Sequence, residues 1–368
     1  MKRLIPLALT SLLALSVATL PVQAATTYTG DRVDGAPVID QLDIADLPAG
    51  QITRLWFRVS DQAIGQGWYV PVIVIKGAKP GARLLLTAGI HGDELNGLAV
   101  IDRLVAETDP ATLSGSIVAI PGLNSPGLLH STRAFSSTGG TGGANLNRLM
   151  PGNPHGSPSD LYASRLWSKL FIGNADLAVD LHTQSQGSTY PMYIFAETAG
   201  ARAMADLIGA DVINMDPGVD GAVENMLNAH GFSAITLELG GAETFDTAMI
   251  ERGVKGLRNL MRAHTMIPGK TEALKTGFVG NTTLDVTSPR GGYAYLKVRL
   301  GDTVKAGDLL ATVHDGLGRE TGRVLAPHDG QVLSHITDPR VEPGQMTVRL
   351  IWWDAKGVCA QTGCPPKK

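Results

Sequence analysis

Polar and apolar residues alternate from Gln51 to Val59, and a β-branched apolar run extends from Trp68 to Lys76. Both predict strands, and Gly77, Pro80 and Gly81 mark the turn into a third, Arg83 to Ala88. Residues 25 to 50, rich in Thr, Asp, Gly and Pro, lack such a period and read as an irregular lead-in. After Ala88 the period changes. Leu95, Leu98, Ile101 and Leu104 fall at helical spacing, which predicts a helix over Leu95 to Ala106, followed by a buried strand over Ser116 to Ile120. Ser157 as N-cap and Pro158 at the first helical position open a helix that runs to about Phe171. Further buried strands are expected over Leu177 to Leu181, Met192 to Ala196 and Ala234 to Leu239, and helices over Ala199 to Ile208, Ala222 to Ala229 and Thr247 to His264. Such alternation predicts an α/β fold with a mixed, mostly parallel sheet and helices on both faces.

The pattern changes again near Pro268-Gly269. From Thr276 onward Gly-marked turns recur and no helical period survives, which predicts a small all-β barrel over residues 271–355. The catalytic unit is then expected over 25–270. The tail, 356–368, holds both cysteines, Cys359 and Cys364, close enough to form a peripheral disulfide.

The N-terminus has its own pattern. Lys2 and Arg3 precede an apolar stretch from Leu4 to Leu20, and small residues stand at Val22 and Ala24. This is the layout of a secretory signal peptide, residues 1–24, cut after Ala24, and it places the mature chain in the periplasm or outside the cell. A membrane anchor is the competing reading; Thr10, Ser11, Ser16 and Thr19 and the cleavage site weigh against it. No later run has the roughly 20 apolar residues that span a bilayer, so stable membrane insertion is not expected. The 31 Lys and Arg against 34 Asp and Glu make no basic field for nucleic acid.

Ligands on α/β sheets gather beyond the carboxyl ends of the strands. Several polar motifs stand at such ends: His91-Gly92-Asp93-Glu94, Asp180-Leu181-His182 and Glu238 within Thr236-Leu237-Glu238-Leu239-Gly240-Gly241. A loop with Asn124, Arg133 and Asn145-Leu146-Asn147-Arg148 accompanies them. Each has a plainer explanation: a hydrogen-bonded core histidine, a carboxylate buried against a Lys or Arg, solvated loop arginines. A charge inside an apolar strand end is costly unless it is paired or bound to a metal, and three such charges suggest one shared site. His91, Glu94 and His182 would suit one Zn²⁺ with a position open for water. Glu238 would move the water's proton, Arg133 would stabilise the oxyanion or hold the substrate, and Asn147 with Arg148 would clamp a carboxylate.

In that order these motifs, with Pro151-Gly152 and Leu237-Glu238-Leu239-Gly240, resemble the succinylglutamate desuccinylase/aspartoacylase family, relatives of the zinc carboxypeptidases of the carboxypeptidase A type. The resemblance spans roughly residues 70 to 355. It implies a zinc-carboxypeptidase-like fold and a zinc-dependent amide hydrolase. His91, Glu94 and His182 would be the ligands, Glu238 the general base, and Arg133, Asn147 and Arg148 the substrate contacts. Where the family has Asp, this chain has Asn145, which would accept from a ligand imidazole as a weaker partner. A Gly/Ser/Thr-rich stretch, Ser136 to Ala144, lengthens the loop after Arg133 and could act as a lid. The C-terminal strands resemble a biotinyl/lipoyl-like barrel, without a Lys at the hairpin tip. Three functions follow as expectations: an N-acyl amino acid deacylase, an exported zinc carboxypeptidase on peptides or peptidoglycan fragments, or an exported binding protein on the same fold. The first two require a small substrate with a free carboxylate, and an oligomer stays open.

Overall fold

A computed structural model describes residues 25–136 and 143–364. The first ten strands are β1 Thr27–Val33, β2 Ala36–Gln41, β3 Gln51–Asp61, β4 Gly67–Lys76, β5 Lys79–Ala88, β6 Ser114–Pro121, β7 Leu177–His182, β8 Ser188–Phe195, β9 Val212–Asn214 and β10 Ser233–Gly241. The helices are α1 Asn96–Glu107, α2 Ser125–His130, α3 Pro158–Leu166, α4 Ala199–Ile208, α5 Val223–Ala229 and α6 Thr247–Ala263. The main sheet runs β1-β2-β3-β4-β6-β5-β7-β10-β8 before entering the C-terminal strands. Its centre, β6-β5-β7-β10, is parallel, whereas β4 and β8 flank that centre antiparallel.

The centre is parallel because both faces of these strands are buried. Leu84 and Leu86 of β5 pack with Val100, Ile101 and Leu104 of α1, Met204 of α4 and Leu257 and Leu260 of α6. Leu85, on the opposite face, packs with Tyr162 and Leu166 of α3 and Val223 and Leu227 of α5. The α3 start follows the expected chemistry: Asp160 N–H donates to Ser157 Oγ, and Ser157 N–H donates back to Asp160 Oδ2 at 3.0 Å. The helical path continues as a π-turn through Trp167–Phe171.

Two expectations need correction. Residues 25 to 50 are not an irregular lead-in, since they form β1 and β2 and a 3-10 turn, Ile44–Asp46. β1 is almost entirely exposed, so backbone pairing with β2 maintains it and burial writes no period into its sequence. The six-residue α2 was also missed; Asn124 caps it by accepting from Gly127 N–H, with Pro126 in its first turn.

Beyond α6 every element is a strand: β11 Phe278–Gly280, β12 Thr282–Thr287, β13 Gly292–Leu296, β14 Thr303–Val304, β15 Leu309–His314, β16 Glu320–Leu325, β17 Gly330–Ile336, β18 Arg340–Val341 and β19 Met346–Trp352. They enclose their own apolar cluster, including Leu310, Val313, Val332 and Leu350. Four form a separate sheet, β16-β15-β13-β18. The others extend the main sheet, because β17 pairs with β8 at Thr189 and Ser188, and β11 pairs with β9. Backbone hydrogen bonds therefore run from the α/β unit straight into the C-terminal strands. Cys359 and Cys364 are joined, and Cys364 N–H donates to Glu197 O at 2.6 Å. Among the described residues no helix is long and apolar enough to cross a membrane. The expected signal peptide, residues 1–24, lies outside the described residues.

Candidate functional site

β5, β7 and β10 are adjacent and parallel, so their carboxyl ends open on one side of the sheet. β5 delivers the chain into His91-Gly92-Asp93-Glu94. Gly92 is required there, because a Cβ would lie 1.9 Å from the Gly127 carbonyl carbon. β7 ends on His182, and the β7–β10 register sets Glu238 opposite it.

His91, Glu94 and His182 converge, with one ligand atom from each lying within 4.8 Å of the others. All three are buried, at 2%, 2% and 3% exposure. Glu94 Oε1 is 2.9 Å from His91 Nδ1, and Oε2 is 2.8 Å from His182 Nδ1. The outer nitrogens are also engaged. His182 Nε2 lies 2.7 Å from Asp180 Oδ2, and Asp180 Oδ1 accepts from the Thr87 hydroxyl at 2.6 Å. His91 Nε2 lies 3.1 Å from Asn145 Oδ1, which also accepts from Asn147 N–H. With each Nε2 donating outward, each Nδ1 would offer a lone pair to a cation at the shared centre, the orientation a metal-binding imidazole adopts.

The electrostatics agree with a cation site. Burial pulls the His91 imidazole down, toward its neutral form. Burial alone would raise Glu94, but the neighbouring His91 and His182 overrule it and hold this carboxyl well below its usual range. Burial also opposes charge on His182, yet Asp180 and Glu94 together push it well above 6.5. A cation at the centre would replace the proton that His182 otherwise holds against Glu94. Glu238 is pushed up to about 8, chiefly by burial, with Glu94 adding to the rise and His182 and Arg133 opposing it. Its Oε2 has no hydrogen-bond partner.

The predicted loop residues reach the same place. Backbone pairing of Phe135 with Ala144 closes the base of the lengthened loop and sets Arg133 beside the Asn145–Arg148 turn. Residues 137–142, the core of the expected lid, lie outside the described residues. Arg133 Nη1 donates to Glu94 Oε1 at 2.9 Å and to Ser185 Oγ at 2.6 Å. Asn147 lines the cavity, but its Oδ1 accepts from Val223 N–H at 2.8 Å and so ties α5 to this turn. Arg148 faces the cavity; burial and then the like charge of Arg133 disfavour its charged form, a tension that an anionic ligand would relieve.

The cavity holding these groups measures about 530 Å³. Sequence reading missed several residues in its walls and one directly behind them. Asp180 was quoted only as part of a motif, although a carboxylate two residues before a strand-end His is the signal for its orienting partner. Glu224 of α5 is buried, its Oε2 lacks a partner, and burial followed by Asp180 raises its carboxyl. Leu284 and Asp285 of β12 and Arg349 of β19 form the far wall. Arg349 Nε donates to Asp285 Oδ1 at 2.5 Å, and Nη1 donates to the Tyr190 hydroxyl at 2.6 Å. A larger cavity, about 860 Å³, lies between Thr29, Arg58 and Arg165 and contains none of the predicted site residues. Convergent chemistry, and not volume, singles out the smaller one.

Comparison with known proteins points the same way. Residues 80–264 match the succinylglutamate desuccinylase/aspartoacylase catalytic domain model. The chain is 25% identical over 312 residues to an N-alpha-acetyl-L-2,4-diaminobutyric acid deacetylase of Halomonas elongata, covering 80% of this chain and 84% of that protein. The fold matches a succinylglutamate desuccinylase/aspartoacylase from Rhodobacter sphaeroides, with a TM-score of 0.74 at 22% identity over 84% of this chain and 98% of that one. It also matches the product-bound ectoine utilization protein EutE from Ruegeria pomeroyi, with a TM-score of 0.73 at 22% identity over 83% and 98%.

Proposed function

The chain belongs to the succinylglutamate desuccinylase/aspartoacylase family of amide-bond hydrolases, and from that premise we propose that it is a zinc-dependent deacylase of N-acyl amino acids bearing a free carboxylate. The observation that carries this reading is the convergence of His91 Nδ1, Glu94 and His182 Nδ1 beside Glu238, whose Oε2 is partnerless, in one cavity with Arg148. The two imidazoles and one carboxylate would hold one Zn²⁺, a donor set that leaves a coordination position open. When bound, the ion supplies Lewis acidity, lowering the pKa of water toward ~7 and polarising a carbonyl.

The rest is the work of the protein's own residues. Glu238 accepts the proton of the attacking water on its carboxylate and returns it to the leaving nitrogen as the C–N bond breaks. Arg133, held at the ligand cluster through Glu94 and Ser185, supplies positive charge where the carbonyl oxygen becomes anionic. Arg148 pairs with the substrate carboxylate. Asp180 and Asn145 fix the imidazoles, and Asn147 fixes the edge of α5.

The substrate class follows in part from the Halomonas elongata relative, whose name specifies an acetylated amino acid. We extend the proposal to location: Lys2, Arg3 and the apolar run to Leu20 support export, which fractionation of cells expressing the full chain would check. The zinc-loaded enzyme should hydrolyse N-acetyl and N-succinyl amino acids in preference to dipeptides, including D- and γ-linked ones. Faster release of C-terminal residues from peptides would replace this reading with a carboxypeptidase.

A further inference from the structure

Among the described residues, three buried side-chain oxygens without a partner line the candidate cavity: Glu238 Oε2, Glu224 Oε2 and Thr236 Oγ1. The first belongs to the proton-transfer group. The other two have no part in the reaction outlined above. Glu224 is 7% exposed and Thr236 4%. The Thr236 hydroxyl lies beside the Glu224 carboxyl, yet neither Oγ1 nor Oε2 makes a hydrogen bond of acceptable geometry. No Lys or Arg lies within ion-pair distance of Glu224 among the described residues, and Arg148 acts on it only at longer range. A buried carboxylate oxygen without a partner is unfavourable by an amount that calls for a cation or a hydrogen-bond donor at that oxygen.

The sheet register locates this pair relative to the reaction centre. Glu238 stands opposite His182, and Thr236 stands opposite Asp180, two residues back along β10. Two residues of strand span about 7 Å, and residues i and i+2 share a face. Glu224 and Thr236 therefore sit about 7 Å below the level where the scissile carbonyl meets Glu238. In an N-acyl diamino acid with two side-chain methylenes, five bonds separate the acyl carbon from the terminal nitrogen. An extended chain advances about 1.3 Å per bond, since Cα atoms three bonds apart lie about 3.8 Å apart. The terminal nitrogen then reaches about 6 Å, and a third methylene takes it to about 8 Å.

We propose that Glu224, with Thr236, receives a primary ammonium group on the substrate's side chain, which makes the enzyme selective for N-acylated diamino acids with two or three side-chain methylenes. The inference rests on the deacylase reading and adds a specificity that the zinc ligands cannot provide. A compact ammonium offers donors to both Oε2 and Oγ1 and neutralises the buried carboxylate, and a methyl of the same size does neither. Arg148 binds the substrate carboxylate on the same amino acid, so the two charges of the substrate are read by two separate residues.

The test is calorimetric titration of the zinc-loaded full chain with three free amino acids: L-2,4-diaminobutyrate, L-ornithine and L-norvaline. Norvaline matches diaminobutyrate with a methyl in place of the ammonium. At least one of the diamino acids should bind about tenfold or more tighter than norvaline, the scale of a hydrogen bond to a charged group. Glu224→Gln should bring their affinities down to that of norvaline. Equal binding of all three by the wild type, a gap that persists in Glu224→Gln, or uniform weakening of all three ligands by that substitution would each overturn the proposal. A companion comparison of kcat/KM on the N-acetyl forms separates the two levels of inference. If no N-acetyl amino acid is hydrolysed, the deacylase reading fails, and the binding gap still decides the role of Glu224. If both classes are hydrolysed at equal kcat/KM, the selectivity fails and the deacylase reading stands.

Discussion

The two walls of the cavity treat charge in opposite ways. At the strand ends, each imidazole is held from outside, His182 by Asp180 and His91 by Asn145, and its other nitrogen is turned inward to Glu94. Across the cavity, Arg349 is already committed to Asp285 and Tyr190, so its charge is satisfied before any ligand arrives. One wall is arranged to bind and the other to shape. The difference shows that ion pairs in a cavity are not evidence of function by themselves. Orientation and unmet hydrogen-bonding capacity carry that information.

The comparison can be broken most severely at Glu238. Glu238→Gln keeps the side-chain shape but removes the proton acceptor. It should lower kcat by about 10²–10⁴-fold while zinc content, measured by atomic absorption, stays at one per chain. Normal turnover would end its role as base. The same residue sets a pH expectation. Its folded carboxyl lies above the usual 4.5, at about 8, and a cation beside it would lower it from there toward 4.5. Proton acceptance requires the ionised form, so kcat/KM should fall as pH drops through that interval, well above the range of an ordinary glutamate. A profile flat down to pH 5 would contradict this.

A smaller effect is expected one step behind the ligands. Asp180→Asn leaves His182 in place but weakens the bond that orients it, and zinc affinity should drop about 10–100-fold in a chelator competition. An unchanged affinity would show that Asp180 serves only Thr87 and the strand. The smallest effect belongs to the far wall. Asp285→Asn should change kcat by less than about threefold, because an ion pair this exposed contributes little. A larger loss of kcat would mean that Arg349 acts on the substrate, and the contrast between the walls would collapse.

Legibility in sequence divides along the same line. His91, Glu94, His182 and Glu238 were readable because each interrupts or ends an apolar run at the carboxyl end of a parallel strand, where an unpaired charge is conspicuous. The central strands and most helices were readable because burial writes a period into them. β1 and β2 were not, since pairing without burial leaves no such mark. Glu224 was hidden for another reason. A glutamate in the first turn of a helix is ordinary, and only tertiary packing turns it into a buried carboxyl facing the cavity. Asp285 and Arg349 lie in a segment whose sequence pattern predicted a separate unit, and only the β8–β17 pairing brings them to the site.

That pairing also governs how the chain matures. β8 carries a largely buried run, Tyr190 to Ile194, on a strand with β10 on one side. Its other side is completed by β9 and by β17, which emerges far later in synthesis. Until then β8 offers unpaired backbone to any other strand, the usual route to edge-to-edge aggregation. A chain truncated before β17 would therefore lose more than one wall of its cavity. It would expose a sticky edge, and insolubility rather than slow turnover would be its first symptom.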